Sequence, residues 1–446
     1  MGNLLIKNIG LLATPMGTAA KSGAQQGAVQ FLYDAFVRVE DGIITEVGSG
    51  NSRAKAGETV VDAGGKLVTP GLVDAHTHLI FGGWRQNELG MKLHGKTYLE
   101  IQNAGGGIQS STNATRGATE EELTQKAAKA LDEMMSLGTT TVEAKSGYGL
   151  ATEHELKALQ VIKNLNERHP MDIVPTFMGA HLVPKEYKEN RKEYIRLVCE
   201  EMMPLVAKQG IAKFNDVFCE ADTFDVDEAR QVLEAGLKYG LRPKIHADEI
   251  EAIGGSILAG ELGAISAEHL IVCPPEGIES LAKGGVIACL LPATSFNLGA
   301  TFAPARDMVN AGVPVAMATD FNPGSCPCLN LQFVINLGCL KYRLTPEEVL
   351  TAVTLNGAAA IDMAQKVGSV EPGKQGDLVI WDAPDLDYIC YRLGSNLVKT
   401  VIKKELKEVS EKYGQQRKTE IIYDVQQTEP EAEEEQIPDY PVTVFV

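Results

Sequence analysis

The chain has 446 residues, of which 44% are hydrophobic and 22% charged, and a formal net charge of -18. That length predicts a main domain of roughly 250–300 residues plus a smaller one. The composition excludes disorder throughout, and the charge argues against nonspecific binding to nucleic acid or an anionic membrane. No apolar run reaches the ~20 residues of a membrane span, and the N-terminus lacks the long apolar core of a secretion signal. The eight cysteines are scattered, which suits free thiols in a reducing cytoplasm.

In chain order, residues 3–9 and 29–48 alternate apolar and polar side chains, the period of a half-buried strand. Asp41-Gly42 between two such stretches signals a hairpin. A further strand candidate ends at Pro70-Gly71. Residues 1–66 are therefore expected to form part of a small β domain.

Short apolar runs then alternate with helical stretches. Residues 119–138 open on a Thr119/Glu122 capping box and close at Gly138. Residues 152–169 predict another helix, and 345–361 one more, with Pro at N1 and acids in its first turn. Repeated strand–helix units across 67–366 predict α/β architecture with a parallel sheet, and their number suits a (β/α)8 TIM-type barrel; a doubly wound sheet is the alternative. Residues 367–404 are again β-like and glycine-rich, and are expected to pair with the N-terminal strands in a small β-sandwich built from both chain ends. Residues 405–446, with Glu429, Glu431, Glu433, Glu434, Glu435 and Asp439, read as an acidic extension.

In such a barrel the chemistry sits at the C-terminal ends of strands. Five of the eight histidines fall there: His76 and His78 of "HTH", His181, His246 and His269. Two histidines two apart on an extended strand share a face. His94, His154 and His169 read as surface or capping residues. Each of the five alone could be a half-buried structural histidine. Together with Asp320 of "ATD" they make a metal constellation, because neutral imidazoles and one carboxylate suit Zn²⁺ or Fe²⁺ with a position left for water. The metal would acidify that water, and Glu249, three residues past His246, is placed to shuttle its proton.

The segments "PGLVDAHTH", "HADE", "EH" and "ATD" in this order resemble the amidohydrolase superfamily. With "GGGIQSSTNATR", "EAKSGYGL", "TFMGAH", "DVFCE", "LLPATSFNLG" and "ATDFNPGS", the chain is similar to the imidazolonepropionase family over about 30–400. The resemblance implies hydrolysis of the cyclic amide of 4-imidazolone-5-propanoate to N-formimidoyl-L-glutamate, a step of histidine degradation. It implies one Zn²⁺ or Fe²⁺/Fe³⁺ per chain on His76, His78, His246 and Asp320, with Glu249 as acid/base. His269 would polarise the carbonyl or assist Glu249. Arg85, Tyr148 and His181 would contact the substrate, and Asn322, Gly324 and Ser325 would line its pocket.

Arg85 offers a planar fork for a carboxylate and could instead form a surface ion pair with Glu88. Tyr148 lies in a glycine-rich loop that lets it approach a ligand, or it packs on the barrel rim. Two-metal members of the superfamily bridge their ions with a carboxylated lysine on a middle strand. "IVPTFMGAH" has none, and Lys145 is the nearest candidate, so a single metal is expected. Glu268 departs from the family's usual aspartate before the histidine. The family chain is also expected to end soon after 395–404, whereas this one continues to Val446.

The partners implied are a small-molecule substrate and water, with neither nucleic acid nor membrane; a homodimer is one assembly open to such a chain. The alternative, another mononuclear amidohydrolase acting as a deaminase or cyclic amidase of a small heterocycle, would need the same metal set, and a non-catalytic ligand-binding barrel would not need an intact one.

Overall fold

In this computed structural model, the structure describes residues 3–96, 100, 104–403 and 422–424. Asp41 and Gly42 both take positive φ, 51° and 77°, as a two-residue type I′ hairpin requires. They fold β2 (Val29–Glu40) back on β3 (Ile43–Ser49) in antiparallel register. β1 (Asn3–Pro15) pairs with β2, and also runs parallel to β4 (Glu58–Asp62) and β5 (Leu67–Pro70).

Eight further strands form one parallel sheet in sequence order. They are β6 (Leu72–Asp74), β7 (Thr139–Lys145), β8 (Asp172–Ala180), β9 (Phe214–Cys219), β10 (Arg242–Ala247), β11 (Ser266–His269), β12 (Ile287–Leu290) and β13 (Val315–Met317). Helices cover them on the outside, so most strand residues are buried on both faces. This is the (β/α)8 barrel that the alternation predicts. The end-built sheet is completed by β14 (Leu378–Trp381), β15 (Val398–Ile402) and β16 (Ile422–Asp424), with β14 antiparallel to β5. Ile6, Ile9, Leu12, Val37, Val39, Ile380 and Ile402 share its core, which is why the two chain ends belong to one layer. Apart from β16, residues 405–446 lie outside the described residues, as do 97–99 and 101–103.

No ladder joins β13 to β6 among the described residues. The barrel closes just beyond those strands. The Asp320 N–H donates to His76 O (3.0 Å), and the His78 N–H donates to Phe321 O (2.9 Å). Asp74 accepts from both the Thr319 N–H (3.0 Å) and the Thr319 hydroxyl (2.6 Å).

The helix Glu120–Ser136 carries the Thr119/Glu122 capping box in full, and Gly138 turns the chain at φ 101°. The single helix expected over 345–361 is two, Pro346–Ala352 and Leu355–Ala360. The break has a cause. The Val353 carbonyl is taken by the Val73 N–H of β6 (2.9 Å), and Thr354 leaves helical geometry at φ -129°, ψ -90°.

Candidate active site

β6 ends at Asp74, so His76 and His78 sit just past the strand rather than within it; Thr77 between them bridges to Phe321. His246 lies in β10, His269 ends β11, Asp320 follows β13 and His181 follows β8. All six are buried.

Two carboxylates fix the imidazole tautomers. His76 Nδ1 lies 2.8 Å from Glu268 Oε2, and His246 Nδ1 lies 3.1 Å from Asp216 Oδ1. An ionised carboxylate only accepts, so both Nδ1 atoms carry the proton and both Nε2 atoms present lone pairs. Those lone pairs converge. His246 Nε2 is 3.3 Å from His78 Nε2, while Asp320 Oδ1 lies 3.5 Å from His76 Nε2 and 3.6 Å from His78 Nε2. His76 Nε2 and Asp320 Oδ1 find no hydrogen-bond partner although buried. Ligand atoms about 2.0–2.1 Å from a tetrahedral ion stand about 3.3 Å apart, so this donor set fits a metal. Burial above all, with the Lys145 ammonium adding to it, holds His76 and His78 well below the usual histidine range; they are neutral, as ligands must be. His269 is close enough to form an alternative triad with His76 and His246.

Beneath the histidines lies a buried ionic layer that the sequence reading did not assign. Lys145 Nζ is 2.7 Å from Asp216 and 2.9 Å from Glu143, and Lys244 Nζ is 3.1 Å from Glu143 and 3.4 Å from Glu268. Burial opposes the Lys145 charge, but Asp216 and Glu143 overcome it and raise its pKa. A lysine held as an ammonium between two carboxylates is not a metal bridge, in keeping with a single ion. Asp216 and Glu268 thus each join a lysine to a histidine. Partners of this kind typically hold 10–100-fold of metal affinity. Asp216→Asn is therefore expected to weaken zinc binding about 10–100-fold, measured by competition with a chromogenic chelator; unchanged affinity would remove Asp216 from the centre.

Thr294 also went unassigned. Its hydroxyl donates to Asp320 Oδ2 (2.6 Å) and leaves Oδ1 turned to the histidines. Asn322 donates to Asp320 O and to Ser325 Oγ, and its Oδ1 accepts the N–H groups of Gly324 and Ser325. The segment after Asp320 is thereby folded toward Arg85: a Cβ on Gly324 would lie 2.1 Å from Arg85 Nη1. Arg85 does pair with Glu88, through Nε (2.8 Å) and Nη2 (3.0 Å). The pair is interior rather than on the surface, and Glu88 also takes the Gly107 N–H (2.7 Å). Tyr148 is buried with its ring 5.9 Å from that of His78 and 5.2 Å from that of His181. His181 stacks on His78 (4.9 Å, 20°) with Nδ1 on Gly147 O (3.0 Å). Burial pushes its pKa down to about 3.

Glu249 Oε2 stands 3.6 Å from His269 Nε2. Burial, then the charges of Asp320 and Glu220, pushes the Glu249 carboxyl up to about 8, in the range where a group can both take and return a proton near neutral pH. The structure therefore brings together four converging donor side chains, with Tyr148 beside the histidines, Glu249 beside His269, and Arg85 against the Gly324 segment that follows Asp320.

Residues 67–410 match the model of the amidohydrolase family, and the chain belongs to that family. Many solved structures share its fold, among them the following. Guanine deaminase from E. coli is 15% identical (TM-score 0.69, covering 91% of this chain and 98% of that one). A triazine hydrolase from Arthobacter aurescens is 17% identical (0.67, 91% and 94%). An adenosine deaminase from Xanthomonas campestris is 20% identical (0.65, 90% and 92%).

Relatives by sequence narrow the class. The imidazolonepropionase of Alkaliphilus metalliredigens is 51% identical over 90% of this chain and 97% of its own. Those of Brevibacillus brevis and Geobacillus kaustophilus are 52% and 49% identical, covering 89% and 90% of this chain and 96% and 97% of theirs. Within the amidohydrolases, this chain belongs with the imidazolonepropionases.

Proposed function

We propose that the chain hydrolyses the cyclic amide of 4-imidazolone-5-propanoate to N-formimidoyl-L-glutamate in histidine degradation. Of the expected units, 67–366 for the barrel, 1–66 with 367–404 for the small β domain and 405–446 for the acidic extension, two bounds move: β5 (Leu67–Pro70) and β16 (Ile422–Asp424) pair within the small domain's sheet, so the barrel would begin at β6. The observation that carries this reading is the convergence of His76, His78, His246 and Asp320 beside Glu249, in a chain about half identical to imidazolonepropionases. Those four would hold one Zn²⁺ or Fe²⁺/Fe³⁺, which supplies a Lewis acid that acidifies water and polarises a carbonyl.

Glu249 takes a proton from the attacking water as its oxygen adds to the ring carbonyl. The ring C–N bond then breaks, and Glu249 returns the proton to the departing nitrogen. His269, 3.6 Å from Glu249, polarises the ring carbonyl or assists Glu249; a neutral imidazole carries one N–H and does one of these at a time. Tyr148 and His181 wall the ring. Arg85, steadied by Glu88 and packed on Gly324, receives the propionate, and Asn322 and Ser325 shape that end of the pocket. Eight free cysteines support a reducing cytoplasm. No helix among the described residues is long and apolar enough to cross a membrane.

Loss of the ring's ultraviolet absorbance on mixing with imidazolone propionate tests the reading; absence of turnover by the metal-loaded protein would overturn it. In the same assay Arg85→Ala should raise KM about 10–100-fold, the loss of one charge-assisted contact. An analogue without the carboxylate should respond far less. An equal response from both would show that Arg85 does not read the carboxylate.

A further inference from the structure

Glu249 reaches the cleft from a short loop, residues 248–251, whose shape is set from below by one side chain. Glu220, just past the end of β9, is buried. Its Oε2 accepts the N–H groups of Glu249 (3.0 Å) and Ile250 (2.8 Å). Its Oε1 accepts those of Glu251 (3.0 Å) and Ala221 (2.9 Å). Three consecutive N–H groups facing one carboxylate make an anion nest turned inward. Four donors fill the acceptor capacity of a carboxylate, so Glu220 has nothing left to offer a substrate or a metal.

The loop needs this support because Asp248 enters it at φ 52°, a left-handed geometry that is strained for a non-glycine residue. Its other side is tied to the segment that carries His269: Leu270 N–H donates to Ala247 O (3.1 Å) and Val272 N–H to Asp248 O (2.9 Å).

We propose that Glu220 is a positioning residue of the reaction, which holds the backbone of 249–251 so that the Glu249 carboxyl meets both His269 and the substrate. The proposal rests on Glu249 as acid/base, read above. Among the described residues, Glu220 from the end of β9, Asp320 from beyond β13 and His269 from β11 face the Glu249 carboxyl. Glu220 is thus both the anchor of the loop and a like charge beside the group it anchors.

The test compares Glu220→Gln, Glu220→Ala, Glu249→Gln and the Glu220→Ala/Glu249→Gln double variant as metal-loaded full-length proteins. Displacements near 1 Å cost about 10²-fold in rate. Glu220→Ala is therefore expected to lose about 10²-fold in kcat, with KM and metal content little changed. Glu220→Gln keeps one accepting oxygen, so it should lose less. In Glu220→Gln the acidic limb of the pH profile should move to lower pH, because a neighbouring negative charge had held the Glu249 proton on. The double variant should be no slower than Glu249→Gln alone.

The proposal is overturned by near-normal kcat in Glu220→Ala beside an inactive Glu249→Gln, by loss of metal in Glu220→Gln, by an unmoved limb, or by additive losses in the double variant. A fully active Glu249→Gln would instead remove the acid/base itself, and the positioning role with it.

Discussion

Glu249→Gln is expected to keep about one metal equivalent per chain and to lose about 10²–10⁴-fold in kcat, the usual worth of a positioned acid/base. The substitution keeps shape and removes only the titrating proton. Metal content and KM should hold, since Glu249 is not among the four donors and its carboxyl stands 3.6 Å from His269.

The pH profile gives the sign. A carboxyl held near 8 by burial stays protonated below that value and cannot accept a proton, so activity should fall as pH falls. A divalent cation at the donor set favours the ionised form and moves the limb to lower pH without removing it. In the residual activity of Glu249→Gln that limb should be gone. Rapid-quench or steady-state kinetics across pH will tell, and an active Glu249→Gln would exclude this carboxyl from the chemistry.

His246→Ala should lower both metal content and turnover. Lewis-acid stabilisation is worth several kcal/mol, and about 1.4 kcal/mol is tenfold in rate, so a fall of at least about 10³-fold is expected. The substitution also leaves Asp216 with a buried oxygen that had faced an imidazole, a costly orphan for an ionised group. Added zinc should raise Tm in the parent protein and much less in the variant, because only a state that binds the ion gains from it. Atomic emission on the purified proteins and a melting series with zinc test both halves. A variant that keeps metal and rate would remove His246 from the ligand set and leave His76, His78 and Asp320, whose ligand atoms lie close enough together to hold an ion without it.

The readable part of the molecule was what the barrel puts at strand ends. Short apolar runs ending in "HTH", "GAH" and "ATD" announce themselves because polar residues there break a hydrophobic pattern. The ionic layer one step lower did not stand out, since a charge inside a short strand looks the same whether it faces a lumen, a helix or water. Only the closed barrel puts Asp216 of β9 against His246 of the adjacent β10, and Glu268 of β11 across the lumen against His76. A weaker signal was nevertheless present. Asp74 precedes His76 by two, Lys244 precedes His246 by two, and Glu143, Lys145 and Asp216, Glu220 keep even spacing on β7 and about β9. Side chains two apart on a strand share a face, so each polar run points inward with its histidine. The split of 345–361 was illegible for a different reason: it follows from a hydrogen bond to β6, a distant part of the chain.

The barrel's first and last strands meet without a ladder, through His76, His78, Asp320 and Phe321 and through an Asp74–Thr319 link across 245 positions of sequence. The residues that complete the cylinder are therefore the residues that would grip the ion. Such an ion acts as a removable cross-link over a very long loop, the kind of tie whose effect on chain entropy grows with loop length. Catalytic competence and mechanical integrity would then share one rivet, set beside the backbone hydrogen bonds and the Asp74–Thr319 link that already close the cylinder.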